Sequence, residues 1–209
     1  MAVPEAEAAD SEAERNPDRP VVTLLGDSIS AGFGLPAASA LPVKLQAGIS
    51  TLGLRVRVVG AGVSGDTTAD GLRRLARDVP AETRLCVVAL GANDLMQMVH
   101  PADMARTLDE IIARLKARNI DTLLCGMRAP PWAGAFGQAF EAVFGQVAQR
   151  HGVAFYPFLL EGMALDPAFT LPDRLHPNAA GIDVIARGLA PVVVAALRDP
   201  ARPTSGIPS

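Results

Sequence analysis

The chain is poor in the residues that disulfide frameworks and metal sites need. Its 209 residues include two cysteines, Cys86 and Cys125, and three histidines. Two cysteines are too few for a disulfide framework. Each lies within an apolar, strand-like segment, where a free thiol behaves as a small hydrophobic side chain. No close cluster of His, Cys and Asp suggests a metal site. We therefore expect both cysteines in the core, no metal and no cofactor.

The chain also lacks concentrated positive charge and long apolar runs. Its formal net charge is −3 and its basic residues are scattered, which argues against a nucleic-acid partner or an anionic membrane surface. No apolar run approaches the roughly 20 residues that are needed to cross a bilayer. We therefore expect no stable membrane insertion, and the oligomeric state stays open.

The beginning of the chain lacks the basic and apolar regions of a secretory signal. Residues 1–20 are acidic and poor in apolar side chains, and the end of the chain is rich in Pro, Ser and Gly. Both compositions are typical of solvated tails. We predict a disordered acidic tail over 1–20, a single domain over 21–198 and a flexible tail over 199–209. Unless a leader was removed, the expected location is the cytoplasm.

Between the tails, five short apolar runs alternate with amphipathic segments. Near-continuous apolar runs are typical of parallel strands that are buried on both faces. Apolar side chains at three- to four-residue spacing predict helices, and Asn178 is a suitable N-cap for the last of them. The alternation predicts an α/β fold, a three-layer α/β/α sandwich around a flavodoxin-like, doubly wound, mostly parallel five-stranded sheet. The predicted strands are 21–25, 54–59, 84–90, 121–126 and 153–156, and the predicted helices are 102–118, 136–150 and 179–197.

Four polar junctions follow the predicted strands. GDSIS follows the first strand, GAGVSGDT the second, GANDLM the third and RAPPWAG the fourth. Ligands of such sheets bind outside the carboxyl ends of the strands, so we expect all four junctions at one edge. There Ser28 would present its hydroxyl, Gly65 offers an uncrowded backbone N–H, and Asn93 carries an amide that is suited to an oxyanion.

A base and an acid that could serve Ser28 occur far downstream, in LPDRLHPNAAG. Asp173 precedes His176 by three residues, so its carboxylate can reach one imidazole nitrogen while the other faces outward. A serine nucleophile requires such a base, and the base requires an orienting acid. His100 lies beside a proline at a helix start and His151 lies at a helix end. Neither has an acid placed to orient it, and we expect both to be structural.

Each motif alone more often marks a turn or a helix cap than a catalytic site. In this order, however, GDSIS, VSGDT, GAND and DRLHP together resemble the SGNH (GDSL-type) hydrolase family. The resemblance runs from about residue 21 to residue 197 and is closest to the bacterial branch of multifunctional acyl-CoA thioesterase, lysophospholipase and arylesterase enzymes. One departure is Gly60, where relatives often have asparagine. The larger α/β-hydrolase class is disfavoured, because the chain has no Gly-x-Ser-x-Gly elbow.

The resemblance implies a serine hydrolase that cleaves carboxylic ester or thioester bonds of acyl or aryl substrates. Carried over by position, Ser28 matches the nucleophile, Asp173 and His176 match the acid and base, and Gly65 and Asn93 match the oxyanion donors. The substrate partner would be a small acyl or aryl ester. Because the base must be neutral, activity is expected to rise through about pH 6–7, where an ordinary imidazole loses its proton.

The substrate is less clearly indicated by the sequence. Apolar side chains after GAND and in the APPWAGAF segment either line a groove for an acyl chain or aryl group or pack the loops down. A carbohydrate O-acetyl esterase and an acyltransferase are alternatives within the same fold. Outside this class, a non-enzymatic module could bind a phosphate-bearing ligand at GDSIS. The candidate groove residues are Leu95, Met96, Met98, Pro130, Pro131, Trp132 and Phe136.

Overall fold

The computed structural model describes residues 19–164 and 166–199. Five strands form one sheet in the order β2-β1-β3-β4-β5, and each neighbouring pair is parallel. The predicted α/β class and doubly wound sheet are therefore confirmed. The tails predicted over 1–20 and 199–209 lie almost entirely outside the described residues. The strands are β1 (Val21–Gly26), β2 (Arg57–Gly62), β3 (Thr83–Ala89), β4 (Asp121–Cys125) and β5 (Ala154–Tyr156).

Helices cover both faces of the sheet. Helices α2 and α7 pack together on one face, and α3, α5 and α6 pack along the other, which gives the three predicted layers. Helices α1 and α4 are short and begin directly after β1 and β3. In the described part of the chain the helices are α1 (Ser28–Ala31), α2 (Leu41–Thr51), α3 (Thr68–Asp78), α4 (Ala92–Met96), α5 (Pro101–Ala117), α6 (Gly134–His151) and α7 (Ala179–Arg198).

Two longer helices, α2 and α3, have no counterpart in the sequence prediction. Helix α3 buries Thr68, Gly71, Arg74 and Leu75. Leu75 is the only large apolar side chain among these four residues, but α3 is nevertheless strongly amphipathic, with Arg73 and Arg77 on its exposed face. The helices α5, α6 and α7 agree with the predicted ranges to within two residues.

Strand β2 lies three residues later than the predicted strand over 54–59. It is an edge strand that pairs with β1 alone, and most of its residues are partly exposed. Strand β2 ends in glycine-rich sequence, which has low strand propensity. The apolar residues that begin at position 54 therefore favoured a strand that starts three residues earlier. At Gly60 a Cβ atom would lie 2.9 Å from Cγ of Pro42. Pro42 of helix α2 therefore leaves little room for a side chain at position 60, where relatives often have asparagine.

The cysteines lie in the core, as predicted. Cys86 in β3 and Cys125 in β4 are fully buried and free. Burial raises the pKa of the Cys86 thiol to about 12, and burial likewise raises the pKa of Cys125. Both thiols are therefore protonated at neutral pH and unreactive as nucleophiles.

Helix α7 corrects the expectation that no apolar segment is long enough to cross a bilayer. It has 20 residues with a mean hydropathy of 1.8 in its most apolar window, so its length and composition alone would allow a span. Of that window, 56% is buried inside the fold, and Leu189 and Val193 are fully buried. A core helix gives the same signal as a membrane span, and this packing accounts for the apolar character of α7.

Candidate active site

Ser28 lies at the point where β1 ends and is the first residue of α1. The carboxylate of Asp27 accepts the N–H of Ile29 at 3.0 Å and caps this one-turn helix. Ser28 is 9% exposed, and its Oγ lies 3.0 Å from Nε2 of His176. The fold thus brings together a hydroxyl and an imidazole that are 148 positions apart in the sequence.

The imidazole of His176 is oriented by a carboxylate of the same loop. Its Nδ1 lies 2.7 Å from Oδ2 of Asp173. The other oxygen of Asp173 accepts the backbone N–H of Leu175 at 2.9 Å and that of His176 at 3.0 Å. The Leu175 N–H and then the His176 ring hold the pKa of Asp173 at about 2. The carboxylate is therefore ionised at neutral pH and favours the tautomer in which Nδ1 carries the proton and Nε2 is free to accept.

The loop that carries this pair is fixed at both ends. The N–H of Leu171 donates to the carbonyl of His176 at 2.8 Å, and Thr170 and Pro177 form an antiparallel bridge. Asn178 then caps α7, as predicted, by accepting the N–H of Gly181 at 3.0 Å. This arrangement holds the imidazole in place from the backbone side.

Asn93 lies in α4, immediately after β3, with its amide turned toward the end of β1. Its Nδ2 donates to the backbone carbonyl of Asp66 at 2.9 Å and lies 3.5 Å from Oδ2 of Asp27. One amide hydrogen is therefore committed to Asp66, and the second faces Asp27 only at the limit of hydrogen-bond distance. Asp27 is itself fully buried, and this burial raises its pKa to about 6.

Gly65 lies in a turn from Val63 to Asp66 that is closed by a 3.2 Å backbone hydrogen bond. Its φ of 87° is the conformation of the third residue of a type II turn, which favours glycine. A Cβ atom there would meet nothing within 4 Å. The glycine is thus required by its backbone conformation and not by the packing of a neighbouring residue against it.

A pocket of about 410 Å³ opens beside Ser28, Asn93 and His176. Four of the seven predicted groove residues, Leu95, Met96, Pro130 and Pro131, line it. Met98, Trp132 and Phe136 do not, and Trp132 is instead 84% exposed. Sequence reasoning missed Leu175, although it lies within the DRLHP motif. It also missed other apolar walls, because they lie beyond β4 and β5 without a distinctive motif: Met127, Phe158, Leu160, Met163 and Ala164.

The other two histidines lie away from this pocket. His100 caps α5, where its Nδ1 accepts the N–H of Ala102 at 3.2 Å. His151 was expected to have no orienting acid, and this is wrong, because its Nε2 lies 2.9 Å from Oδ1 of Asp109. That acid belongs to α5, so it could not be seen from neighbours in the sequence. Among the described residues no group of three His, Cys, Asp or Glu side chains could hold a metal ion.

Comparison with known proteins gives consistent matches. The model of the GDSL-like lipase/acylhydrolase family matches residues 24–184. The chain is 36% identical to "Esterase TesA" of Pseudomonas aeruginosa over 162 residues, 75% of this chain and 79% of that protein. It is 34% identical to "Thioesterase 1/protease 1/lysophospholipase L1" of Escherichia coli K12 over 176 residues, 81% of this chain and 83% of that protein. A crystal structure of TesA superposes with a TM-score of 0.78 at 33% identity, covering 83% of this chain and 97% of the other.

Proposed function

The chain belongs to the GDSL-like lipase/acylhydrolase family, and from that membership we propose that it hydrolyses acyl or aryl esters with Ser28 as the nucleophile. The observation that carries the proposal is the hydrogen-bonded series from Ser28 through His176 to Asp173. The two distances, 3.0 Å and 2.7 Å, lie within the range that proton transfer between positioned groups requires.

The proposed reaction proceeds through an acyl-enzyme. His176 Nε2 takes the hydroxyl proton as Oγ of Ser28 attacks the ester or thioester carbonyl carbon. The tetrahedral intermediate collapses, the bond to the leaving group breaks, and His176 returns the proton to the leaving alcohol or thiol. Water then attacks the acyl-serine while His176 accepts its proton. The second collapse releases the carboxylic acid and restores Ser28.

The negative charge of each tetrahedral intermediate needs preorganised donors. We assign this role to the backbone N–H groups of Ser28 and Gly65 and to the side-chain amide of Asn93. In support, Asn93 lines the pocket together with Ser28, and the second hydrogen of its amide has only a long contact, at 3.5 Å, with Oδ2 of Asp27. Asp173 stays ionised and stabilises the imidazolium that forms in each half of the reaction.

The pocket favours a hydrophobic acyl or aryl group over a sugar. Its walls are built mainly from apolar side chains, including Met, Leu, Phe and Pro, and its arginine lining residues are Arg128 and Arg174. A sugar site would call for more hydrogen-bonding groups. The hydrolase also explains the Asp173–His176 pair beside Ser28, which a phosphate-binding module would leave without a purpose.

The nucleophile is tested by intact-protein mass spectrometry after treatment with a fluorophosphonate. We expect one adduct on the wild type and none on Ser28→Ala. Ser30→Ala is the matched control, since Ser30 is a buried serine of the same short helix, and it should keep the adduct. An adduct of unchanged yield on Ser28→Ala would contradict the assignment of the nucleophile.

The substrate class is tested with p-nitrophenyl esters from acetyl to dodecanoyl. Each methylene that enters the pocket contributes about 0.8 kcal/mol of burial, or roughly fourfold in kcat/KM, until the pocket is filled. We expect kcat/KM to rise from acetyl to medium chains. A steep preference for acetyl would instead favour the carbohydrate O-acetyl esterase.

A further inference from the structure

An arginine that the proposed mechanism does not use is buried behind the site. Arg74 lies in the middle of α3 with 7% of its side chain exposed. Its guanidinium donates to the backbone carbonyls of Gly26 at 2.7 Å and Ala61 at 2.8 Å. These are the carboxyl ends of β1 and β2, the two strands that lead into Ser28 and Gly65. Arg74 therefore ties together the two strand ends that begin the site.

The same guanidinium also holds the loop that follows β2. Its Nε donates to Oδ2 of Asp66 at 2.5 Å, and Asp66 is itself largely buried. Asp66 follows Gly65 in the chain, and its backbone carbonyl accepts the amide of Asn93 at 2.9 Å. One residue, Asp66, thus connects Arg74 to both of the oxyanion donors that lie outside α1.

The beginning of α3 is connected to the helix that carries Asn93. The carboxylate of Asp94 accepts the N–H of Thr68 at 2.8 Å and its hydroxyl at 2.6 Å. Helix α4 is therefore anchored to the first turn of α3, while Asp66 is anchored to the middle of the same helix. A shift of α3 would move both supports of Asn93 together.

Stability alone is a weak reason for this arrangement. A buried ion pair loses much of its Coulomb energy to desolvation, and apolar side chains of similar size often stabilise a fold equally well. A planar guanidinium with its donors in a fixed fork has a property that apolar side chains lack, since it sets the relative positions of several acceptors at once. Here three of those acceptors border the candidate active site.

We propose that Arg74 is a positioning residue of the oxyanion site, which acts through Asp66 on the amide of Asn93 and on the turn at Gly65. Arg74 touches neither the substrate nor the reacting atoms. The inference rests on the proposed function, because it concerns the donors that would stabilise the tetrahedral intermediate. A residue at position 74 that cannot hold these acceptors in place should therefore weaken binding of the transition state more than binding of the substrate.

Two variants test this role in the full chain. Arg74→Lys keeps the charge and removes the fork. Asp66→Asn removes the ion pair of Arg74 with Asp66 but leaves its 3.1 Å ion pair with Asp78, and it keeps the backbone carbonyl that Asn93 uses. We expect kcat for a soluble p-nitrophenyl ester to fall about 10- to 100-fold with KM changed less than about twofold, because removing an oxyanion donor altogether costs about 10²–10³. Circular dichroism at the assay temperature verifies that each variant is folded. Asp66→Asn carries the test if Arg74→Lys does not fold.

A double-mutant cycle separates positioning from general destabilisation. In an Asn93→Ala background, Asp66→Asn should reduce kcat by a clearly smaller factor than in the wild type, because the amide that Asp66 holds is already absent and only the effect on the turn at Gly65 remains. Equal reductions in both backgrounds would overturn the proposal, as would a folded Asp66→Asn variant with wild-type kcat.

Arg73→Gln is the matched control. Arg73 is the neighbouring residue of α3, but it is exposed and pairs with Asp70, so we expect wild-type kcat and KM. Fluorophosphonate labelling of each variant distinguishes a failure of the positioning role from a failure of the proposed function. Labelling of wild type at Ser28 with normal kcat in Asp66→Asn rejects the positioning role alone, whereas no labelling of Ser28 in the wild type rejects the proposed function itself.

Discussion

Asn93 shows how a single side chain can be fixed by groups that are far apart in the sequence. Its amide is held by the carbonyl of Asp66, which follows β2, and approaches the carboxylate of Asp27, which follows β1. Both neighbours are oxygens, so the nitrogen end of the amide, and not the oxygen end, must face them. The orientation that an oxyanion donor needs is therefore set by the hydrogen-bond partners around it.

Asn93→Ala is expected to lower kcat by about 10²–10³, because a preorganised donor is lost from the transition state. KM should change little, since the apolar walls of the pocket are untouched. Steady-state kinetics with a soluble aryl ester measures both. Near-wild-type kcat in this variant would show that Asn93 does not stabilise the oxyanion.

Asp27 predicts a pH dependence of folding stability. Burial raises its pKa from 3.8 to about 6, so the folded protein holds this proton more tightly than the unfolded chain does. The contribution of this shift to the free energy of unfolding is about 3 kcal/mol. It is fully present below about pH 4 and is lost as the pH rises to about 6. Urea unfolding of wild type and Asp27→Asn between pH 4 and 7 measures it. Relative to wild type, the free energy of unfolding of Asp27→Asn should increase by this amount as the pH rises. A difference between the two proteins that does not change with pH would contradict a raised pKa of Asp27 in the folded state.

At the residue level the sequence located the polar groups better than the apolar ones. Ser28 and Asn93 lie at the strand ends where their motifs predicted them, and the downstream pair of Asp173 and His176 meets Ser28 there. Trp132 was a candidate either for the groove or for packing its loop down, and it is exposed, because an apolar side chain in a loop carries no information about which way it points. The buried pair of Asp66 and Arg74 gave no sequence signal, because charged residues at this spacing usually lie on a solvated helix face.

At the level of secondary structure, the glycine before α4 couples the site to the core. Gly91 has a φ of 124°, a conformation that side chains with a Cβ rarely adopt. A Cβ atom there would also lie 2.7 Å from Cζ of Phe144, a fully buried residue of α6. Helix α4 can therefore start where it does only because this position is glycine.

Gly91→Ala should lower the free energy of unfolding by about 2–4 kcal/mol, from backbone strain together with overpacking. We also expect kcat to fall, because α4 carries Asn93 and must shift. Gly145→Ala is the matched control, since its Cβ would meet only Phe155 at 3.8 Å within α6. Alanine there should stabilise by about 0.5–1 kcal/mol. Urea unfolding of both variants checks these signs, and equal effects would contradict the proposed strain.

The elements that sequence patterns predicted well are those with an apolar core face. Strands β1 and β3 are almost fully buried and agree with their predicted ranges to within one residue. Edge strand β2 is partly exposed and lacks the regular hydrophobic pattern on which prediction depends, and helix α3 has an arginine among its buried residues. Their positions are set by tertiary contacts, such as the hydrogen bonds from Arg74 to β1 and β2.

At the scale of the whole molecule, one core between the sheet and its helices supports the site. Phe140 and Phe144 of α6 are fully buried and pack edge to face, with ring centres 5.3 Å apart. The ring of Phe144 lies directly against Gly91, the residue before α4, so this core packing borders the helix that carries Asn93.

Phe144→Ala should lower the free energy of unfolding by about 3–5 kcal/mol, because it removes a buried ring and leaves a cavity. Leu52→Ala, at a side chain that is 43% exposed on the loop after α2, should cost less than about 1 kcal/mol. Urea denaturation measures both. A cost for Phe144→Ala below that of Leu52→Ala would mean that α6 does not form part of the core.

The separation of 148 positions between the hydroxyl and the imidazole has a consequence for biosynthesis. A chain that is emerging from the ribosome exposes Ser28 early, but it gains His176 only after all five strands have been made. Any fragment that ends before the histidine carries a serine with no base. Hydrolytic competence should therefore arise only after residue 176 has been synthesised and the sheet has folded, so products truncated before that residue should be inert toward esters.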